Sequence, residues 1–339
     1  DLLSTGISGV RTYQRALATV GNNIANVDTE GYSRQRVEIA QNVSSSEGSL
    51  NIGNGARAVR VQRSYDNFVV ENLRSSQSQL NKHQATLEYV TQLENILADK
   101  QLSLSTSMDG FFAAVQEVSL SPSSVAARQN MLNVAESTVA QFTSVGTQLS
   151  LIEENSYSDL TGQVSSLNQL ADQLASVNAS LNRVNSLDKQ PNELLDRRDT
   201  LIQDMSKLLR VHVVEKNNGA VDIHIGDVAS GQYLVKDKTA STLGIDRSAA
   251  NPDEAVLMLD PYMSPQKVTQ VVGGSIAGIS EFRQNSLTIL RDELDTLTQV
   301  FVGEVNDTHA LGIDAQGNFG GELFSLGNIY TVTPGLNKG

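Results

Sequence analysis

Four histidines, one run of carboxylates and a few glycine-rich turns are the residues of this 339-residue chain whose types and spacing could do chemistry. Glu193, Asp196 and Asp199 stand three apart in Asn192-Glu-Leu-Leu-Asp-Arg-Arg-Asp-Thr-Leu201. That spacing gathers carboxylates along one flank of a helix, as a general acid and base pair would need. Arg197 and Arg198 are interleaved with them, and Glu193 precedes Arg197 by four in the favourable order, which is how a solvated charged face reads. His212 and His224 fall on the polar side of two alternating stretches and would approach each other, but two imidazoles make an incomplete metal site, and both read as solvated. His83, between Leu80 and Leu87, has no second ligand near it in sequence and reads as a half-exposed seam residue. Asp314-Ala-Gln-Gly317 lacks the alternating oxygen ligands and distal glutamate of a calcium loop, so a β-turn is predicted. Gly273-Gly-Ser carries neither the dinucleotide fingerprint nor a phosphate-loop lysine. With no cysteine in the chain there is no thiolate site and no disulfide. No catalytic residue, cofactor or metal is predicted, and the chain is read as no enzyme.

The elements around these residues are mainly helical. Leu3, Ile7, Val10, Leu17, Val20 and Ile24 recur at steps of three and four, with a gap at Gln14, so the chain opens on an amphipathic helix with a narrow apolar seam. Two readings stay open: the helix docks on its own domain, or its seam waits for a partner. Gly21-Asn22-Asn23, Asn26 and Gly31 signal the helix exit and a turn. Residues 41–49 read as a flexible polar hinge, and Val59 and Val61 as a short strand. Phe68, Val69, Leu73, Leu80, Leu87, Val90, Leu93 and Leu97 predict a long helix from Tyr65 to about Asp99, opened by Ser64 or Asp66. A second helical piece follows over Met108–Leu120.

From about Val125 to Ser186 the heptad seam Leu160, Leu167, Leu174, Leu181 predicts one very long helix, with Leu170, Val177 and Val184 three residues behind and Asn178 and Asn185 beside the seam. Gln190-Pro191-Asn192 turns the chain into a return helix to Leu209. The period then changes to two, with a hairpin turn at Asn218-Gly219 and further strands at Gly231–Val235 and Ala255–Leu259, separated by Asn251-Pro252 and Asp260-Pro261. Ile279, Phe282, Leu287, Leu290, Leu294, Leu297, Phe301 and Val305 form the last long helix.

The expected fold is thus mainly α, an elongated helical bundle or coiled-coil rod with an N-terminal terminal helix and a small β appendage. Its expected parts are 1–40 (terminal helix and turn), 41–64 (linker and short strand), 65–210 (long-helix bundle), 211–272 (β appendage), 273–310 (returning helix) and 311–339 (start of a following, incomplete region). The formal net charge of −13 and the absence of Lys/Arg clusters argue against nucleic acid. No run of eighteen apolar residues spans a membrane, and the spaced apolar residues around Arg11 and Arg15 do not make a cleaved signal peptide.

Several of these stretches carry a resemblance. Gly21-Asn-Asn-Ile-Ala-Asn-Val-Asp-Thr-Glu-Gly-Tyr32, in the order of Gly21, Asn22, Asn23, Ala25, Asn26, Thr29, Gly31 and Tyr32, resembles the N-terminal signature of the axial proteins of the bacterial flagellum. Glu30 stands where that family usually has proline, which leaves the turn less rigid. Gly53 to Asp66 is similar to the family's glycine-rich turn, short strand and Tyr-Asp pair, here Tyr65 and Asp66, although Ala56 and Ala58 are smaller than usual. A third motif with Asn192, Asp196, Arg198 and Asp199, together with Gly273–Arg283 and Asn306 to Gly320, narrows the resemblance to the hook-associated member that joins hook to filament.

Membership implies a structural subunit that assembles in a ring or helical layer of like subunits, with N-terminal helices lining an axial channel and the outer domains on the sleeve. The implied partners are the chain itself, the hook protein, the next hook-associated protein on the filament side and an export chaperone. The implied location is extracellular, on the flagellum, reached through the flagellar type III exporter without cleavage. Family proteins pair N- and C-terminal helices, and no such C-terminal helix is present in the sequence, so a C-terminal part is expected to be missing. The alternative from another class is a secreted coiled-coil adhesin or glycan-binding surface protein using the β appendage; a third is a surface hydrolase with a dispersed site.

Overall fold

The computed structural model describes residues 2–43, 45–47, 50–52, 54–99, 102–226, 231–247, 255–260, 262–314 and 317–326. The expected breaks at Asn251-Pro252 and Pro261, and the stretch with Thr333-Pro334-Gly335, lie outside these residues, as do Ser44, Gly48 and Ser49 of the expected hinge. The chain is mainly α. Its helices are α1 (Leu2–Ala25), α2 (Asn67–Ala98), α3 (Leu104–Leu120), α4 (Val125–Leu181), α5 (Asn192–Leu208), α6 (Gly274–Phe282) and α7 (Thr288–Ala310). Its strands are β1 (Gln35–Gln41), β2 (Ser45–Glu47), β3 (Leu50–Ile52), β4 (Ala56–Arg63), β5 (Val211–Glu215), β6 (Val221–Ile225), β7 (Tyr233–Lys236), β8 (Thr239–Ala240), β9 (Leu243–Arg247), β10 (Ala255–Leu259) and β11 (Gln266–Lys267).

The chain divides into two compact units, residues 1–78 with 166–242 and residues 79–165 with 243–339, a division that falls inside α2 and α4. Sequence periodicity draws no such line, because a helix continuing through it keeps its apolar period throughout.

In the first unit β1 and β4 pair antiparallel from Gln35↔Arg63 to Gln41↔Ala56, with a bulge between Glu38 and Ile39. The short strand expected at Val59 and Val61 is thus one half of a two-stranded ribbon, and the expected hinge at 41–49 falls mostly in the connection between β1 and β4, where β2 and β3 pair. Its cross-strand pairs match in kind, with Val37 opposite Val61 and Glu38 opposite Arg60. The end of α4 is bonded through Asn178 to the four-stranded meander β5-β6-β7-β8, and α5 contacts β5. Val221, Ile223 and Ile225 are buried on one face of β6 at period two, and His224 on its other face is buried as well. The hairpin turn falls on Asn218-Gly219, where Gly219 takes φ +84°.

Leu160, Leu167, Leu174 and Leu181 of the heptad seam are all fully buried. Their buried companions are Val164, Ala171 and Asn178, four residues on, while Leu170 and Val184, three behind, are only half-buried. Asn178 does not sit beside a seam as sequence suggested. It is fully buried and bonds the sheet: Nδ2 donates to Val221 O (2.7 Å) and Asp237 O (2.7 Å), and Oδ1 accepts from Val221 N (3.0 Å).

In the second unit β9, β10 and β11 form a separate three-stranded sheet in the order β11-β10-β9. The strands expected as one β appendage over 211–272 are thus split between the two units. Phe111, Phe142, Phe301 and Phe324 make an aromatic core, with Phe111 and Phe301 edge to face at 5.6 Å. The expected last long helix is α6 and α7 joined through one π-helical turn, Arg283–Leu287. At its start Arg283 is fully buried and donates to Glu153 O and Ser156 Oγ, both at 2.8 Å. Near the end of the described chain, Asn306 Oδ1 accepts from Leu323 N and Phe324 N (2.9 Å each), pinning the segment that follows α7.

Candidate interaction site

The N-terminal signature is a hydrogen-bonded joint between α1 and β1. The helix does not stop at Val20 but runs on through Gly21, Asn22 and Asn23 to Ala25. Asn23 then acts as a strand neighbour for Gln35. Its Nδ2 donates to Gln35 O and its Oδ1 accepts from Gln35 N, both at 2.9 Å. Tyr32 Oη donates to Asn23 Oδ1 (2.9 Å) and accepts from Asn22 Nδ2 (3.1 Å). Asn26 Nδ2 donates back to Asn22 O (2.9 Å), and Thr29 Oγ1 donates to Asn26 Oδ1 (3.2 Å). Tyr32 N closes the turn onto Thr29 O at 3.1 Å, with Gly31 at φ +80°. Only glycine takes that backbone freely, and a Cβ there would also collide with Thr200 Oγ1. The spacing of Asn22, Asn23, Asn26, Thr29, Gly31 and Tyr32 is therefore what folds the chain back from helix to ribbon.

A polar face docks α1 on that ribbon. Thr12 is buried, and its Oγ1 donates to Ser8 O (2.8 Å) and Ala56 O (3.1 Å), while Ala56 N donates to Ser8 Oγ (3.3 Å). The apolar seam is left outside. Leu3, Val10, Leu17 and Ile24 expose 59–72% of their surface, and Ile7 exposes 44%. The helix thus docks locally through Ser8 and Thr12, while Leu3, Ile7, Val10, Leu17 and Ile24 stay exposed among the described residues. Val20 and Val27 continue the stripe, at 50% and 75% exposed. For a 24-residue helix this is a large unpartnered apolar face.

The carboxylates expected on a solvated face prove otherwise. Glu193 is exposed, but Asp196 is buried and Asp199 half-buried, and both face guanidinium groups. Arg63 Nε lies 2.8 Å from Asp196 Oδ1, and Arg63 Nη2 donates to Asp199 Oδ2. Arg198 Nη2 reaches Asp199 Oδ1 at 2.8 Å and Arg198 Nη1 reaches Glu215 Oε1 at 2.9 Å. Arg74 Nη2 stands 3.5 Å from Asp199 Oδ1. Three guanidinium groups thus meet three carboxylates. Burial alone would lower the pKa of Arg198, but Asp199 and Glu215 reverse this and raise it. Tyr65, its ring 4.8 Å under Arg63, has its pKa raised by burial and then by Asp199. Asp66 caps α2, its Oδ1 accepting from Phe68 N (3.0 Å) and Val69 N (3.2 Å). Asn192 donates from Nδ2 to Val61 O (3.2 Å). Sequence spacing alone missed Arg63 and Arg74 as partners of the third motif, because they lie more than a hundred residues away and carry no periodic signal.

His212 and His224 do face each other across β5 and β6. His224 is buried rather than solvated, its ring 4.1 Å from that of Tyr233. Burial lowers its pKa, with Asp222 opposing and His212 and Lys236 adding to the shift. His83 is exposed. Asp314 O accepts from Gly317 N (3.1 Å) and its Oδ1 accepts from Asn318 N (2.8 Å). Among the described residues no group of three or more His, Cys, Asp or Glu could hold a metal ion, and no helix is long and apolar enough to cross a membrane.

Comparisons with known proteins point to one family. The family model described as the flagellar hook-associated protein FlgK helical domain matches residues 90–324, and that of the flagella basal body rod protein matches residues 3–32. Flagellar hook-associated protein 1 of Salmonella typhimurium is 33% identical over 347 residues, covering 100% of this chain and 62% of that protein. The Escherichia coli protein of the same name is 31% identical over 346 residues, with the same shares of 100% and 62%. This chain thus spans about three fifths of the length of those relatives. A solved structure described as the flagellar hook junction protein FlgK from Burkholderia pseudomallei superposes with a TM-score of 0.69 at 27% identity, over 76% of this chain and 47% of that one. With one family model matched over more than half of its length and that fold shared, the chain belongs to the flagellar hook-associated protein FlgK family.

Proposed function

We propose that the chain is a non-catalytic structural subunit of the bacterial flagellum that joins hook to filament, and that the α1 seam is the surface through which it assembles. The observation that carries this reading is the uncovered stripe Leu3, Ile7, Val10, Leu17 and Ile24 on a helix whose other face is already docked. Covering a Leu, Ile or Val of this exposure contributes on the order of 1–2 kcal/mol, so several together can offset the ordering of the helix in an assembly. Neighbouring copies of the chain supply that cover in a ring or helical layer. The hook protein lies on one side and the next hook-associated protein on the other, and an export chaperone holds the chain beforehand. The subunit acts outside the cell after passing through the flagellar type III exporter uncleaved. The turn of Gly21, Asn22, Asn23, Asn26, Thr29, Gly31 and Tyr32 serves as the joint that aims α1, while Tyr65, Asp66, Asn192, Asp196, Arg198 and Asp199 anchor it.

The test is the double variant Val10→Gln with Leu17→Gln in a motile strain. Both sites are solvent-facing, so monomer stability should move by no more than about 0.5 kcal/mol. Electron microscopy should then show hooks that shed filament subunits. Full-length filaments on hooks carrying this variant would remove the seam from the mechanism.

A further inference from the structure

The α1–ribbon module is tied to the rest of its unit by charged and polar groups. Besides the Arg63 contacts to Asp196 and Asp199, Ser33 N donates to Asp196 Oδ2 (3.3 Å), Arg63 Nη2 donates to Ser33 Oγ (3.2 Å), Arg60 pairs with Asp188, and Asn192 donates to Val61 O. Where apolar packing could have joined β4 to α5 there is instead a cleft of about 440 Å³, with Val61, Leu187 and Leu195 on its walls among Arg60, Arg63 and Arg198. The module's own integrity comes from elsewhere, from Ser8 and Thr12 on Ala56 and from Asn23 on Gln35. One carboxylate stands at the centre: Asp199 is shared by the guanidinium groups of Arg63, Arg74 and Arg198, and the side chains of these arginines are only 7%, 9% and 4% exposed.

We infer that this cluster is an electrostatic latch that sets the orientation of the α1–ribbon module on α5 and that can open without unfolding either part. The physical reason lies in the type of contact. An apolar interface tolerates sliding and re-packing, whereas buried ion pairs are directional, and removing one partner leaves uncompensated charge in a site of low polarity. Asp199 therefore acts as a single release point. Its neutralisation would leave three cations facing Asp196 and Glu215, and the module would be pushed off α5. The latch is a property of the monomer and stands or falls separately from the assembly role of the seam.

The chain contains no cysteine, so two can be introduced as the only labelling sites. Ala18→Cys on α1 and Glu193→Cys on α5, both exposed, take spin labels for a distance measurement by pulsed electron resonance. The doubly labelled parent should give one narrow distance distribution. In Asp199→Asn, and separately in Arg63→Gln, the distribution should broaden several-fold and the Ser33 amide should exchange about a hundredfold faster. Exchange across β1 and β4 should stay as slow as in the parent. A narrow distribution in the folded variants overturns the latch. So does broadening accompanied by lost protection throughout β1 and β4, or failure of both variants to fold, since the cluster would then be part of the fold itself.

Discussion

Replacing Asn178 with leucine tests how the end of α4 carries the β5–β8 sheet. The side chain has no exposed surface and makes three hydrogen bonds of 2.7, 2.7 and 3.0 Å to the backbone of Val221 and Asp237. Leucine is close in size but cannot donate or accept. The Val221 N–H loses its partner, and the carbonyls of Val221 and Asp237 each lose a donor. A buried polar group left without a partner costs about 1–3 kcal/mol, so the N–H and one carbonyl together cost about 2–6 kcal/mol. Leucine returns roughly 1–2 kcal/mol through its apolar surface. The net loss is about 3 kcal/mol. Urea denaturation of the purified chain should register that loss in the transition that includes the sheet. Hydrogen exchange should place it at Val221, whose amide should open about a hundredfold more often. If the loss is below about 1 kcal/mol, or the Val221 amide exchanges as in the parent, then Asn178 is not the anchor and the sheet is held by its apolar face alone.

Two further outcomes follow from the joint and the sheet. Glu30 occupies the second position of the Thr29–Tyr32 turn, ahead of Gly31 at positive φ, which is where proline suits a type II turn. Glu30→Pro should raise stability by about 0.5 kcal/mol in urea titrations and leave assembly intact; a loss above about 1 kcal/mol, or loss of assembly, contradicts the assigned turn. His224 is held neutral by burial, so the unfolded chain takes up its proton first, near pH 6.5. Its contribution is therefore complete above pH 6.5 and is lost as pH falls from there toward the lower folded pKa. Denaturation at pH 7.5, 6 and 5 should show a steeper decline in the parent than in His224→Gln, and parallel curves would rule the histidine out.

Much of this molecule is legible along the chain because its signals are local. Helical period placed α1, α2, α4 and α5 to within a few residues, and alternation placed β5, β6 and β10. Asn218-Gly219 announced its turn through backbone chemistry that needs no tertiary partner. The apolar stripe of α1 is also local, since its spacing alone makes a face that something must cover. The ribbon was less visible: Gln35–Gln41 and Ala56–Arg63 are weakly apolar strands whose pairing depends on a connection of fourteen residues.

What the sequence determined by itself was the set of elements and the one-sided character of the first helix. The tertiary structure decided which face of α1 is used at home and which is left over, because Ser8 and Thr12 find Ala56 only once the ribbon has formed. It also turned a run of charges that looked solvated into a buried cluster, by bringing Arg63 and Arg74 to Asp196 and Asp199. Electrostatic partners carry no period and act over whatever distance folding brings them, so Asp199 could be read as surface charge until Arg63 and Arg74 were in place around it.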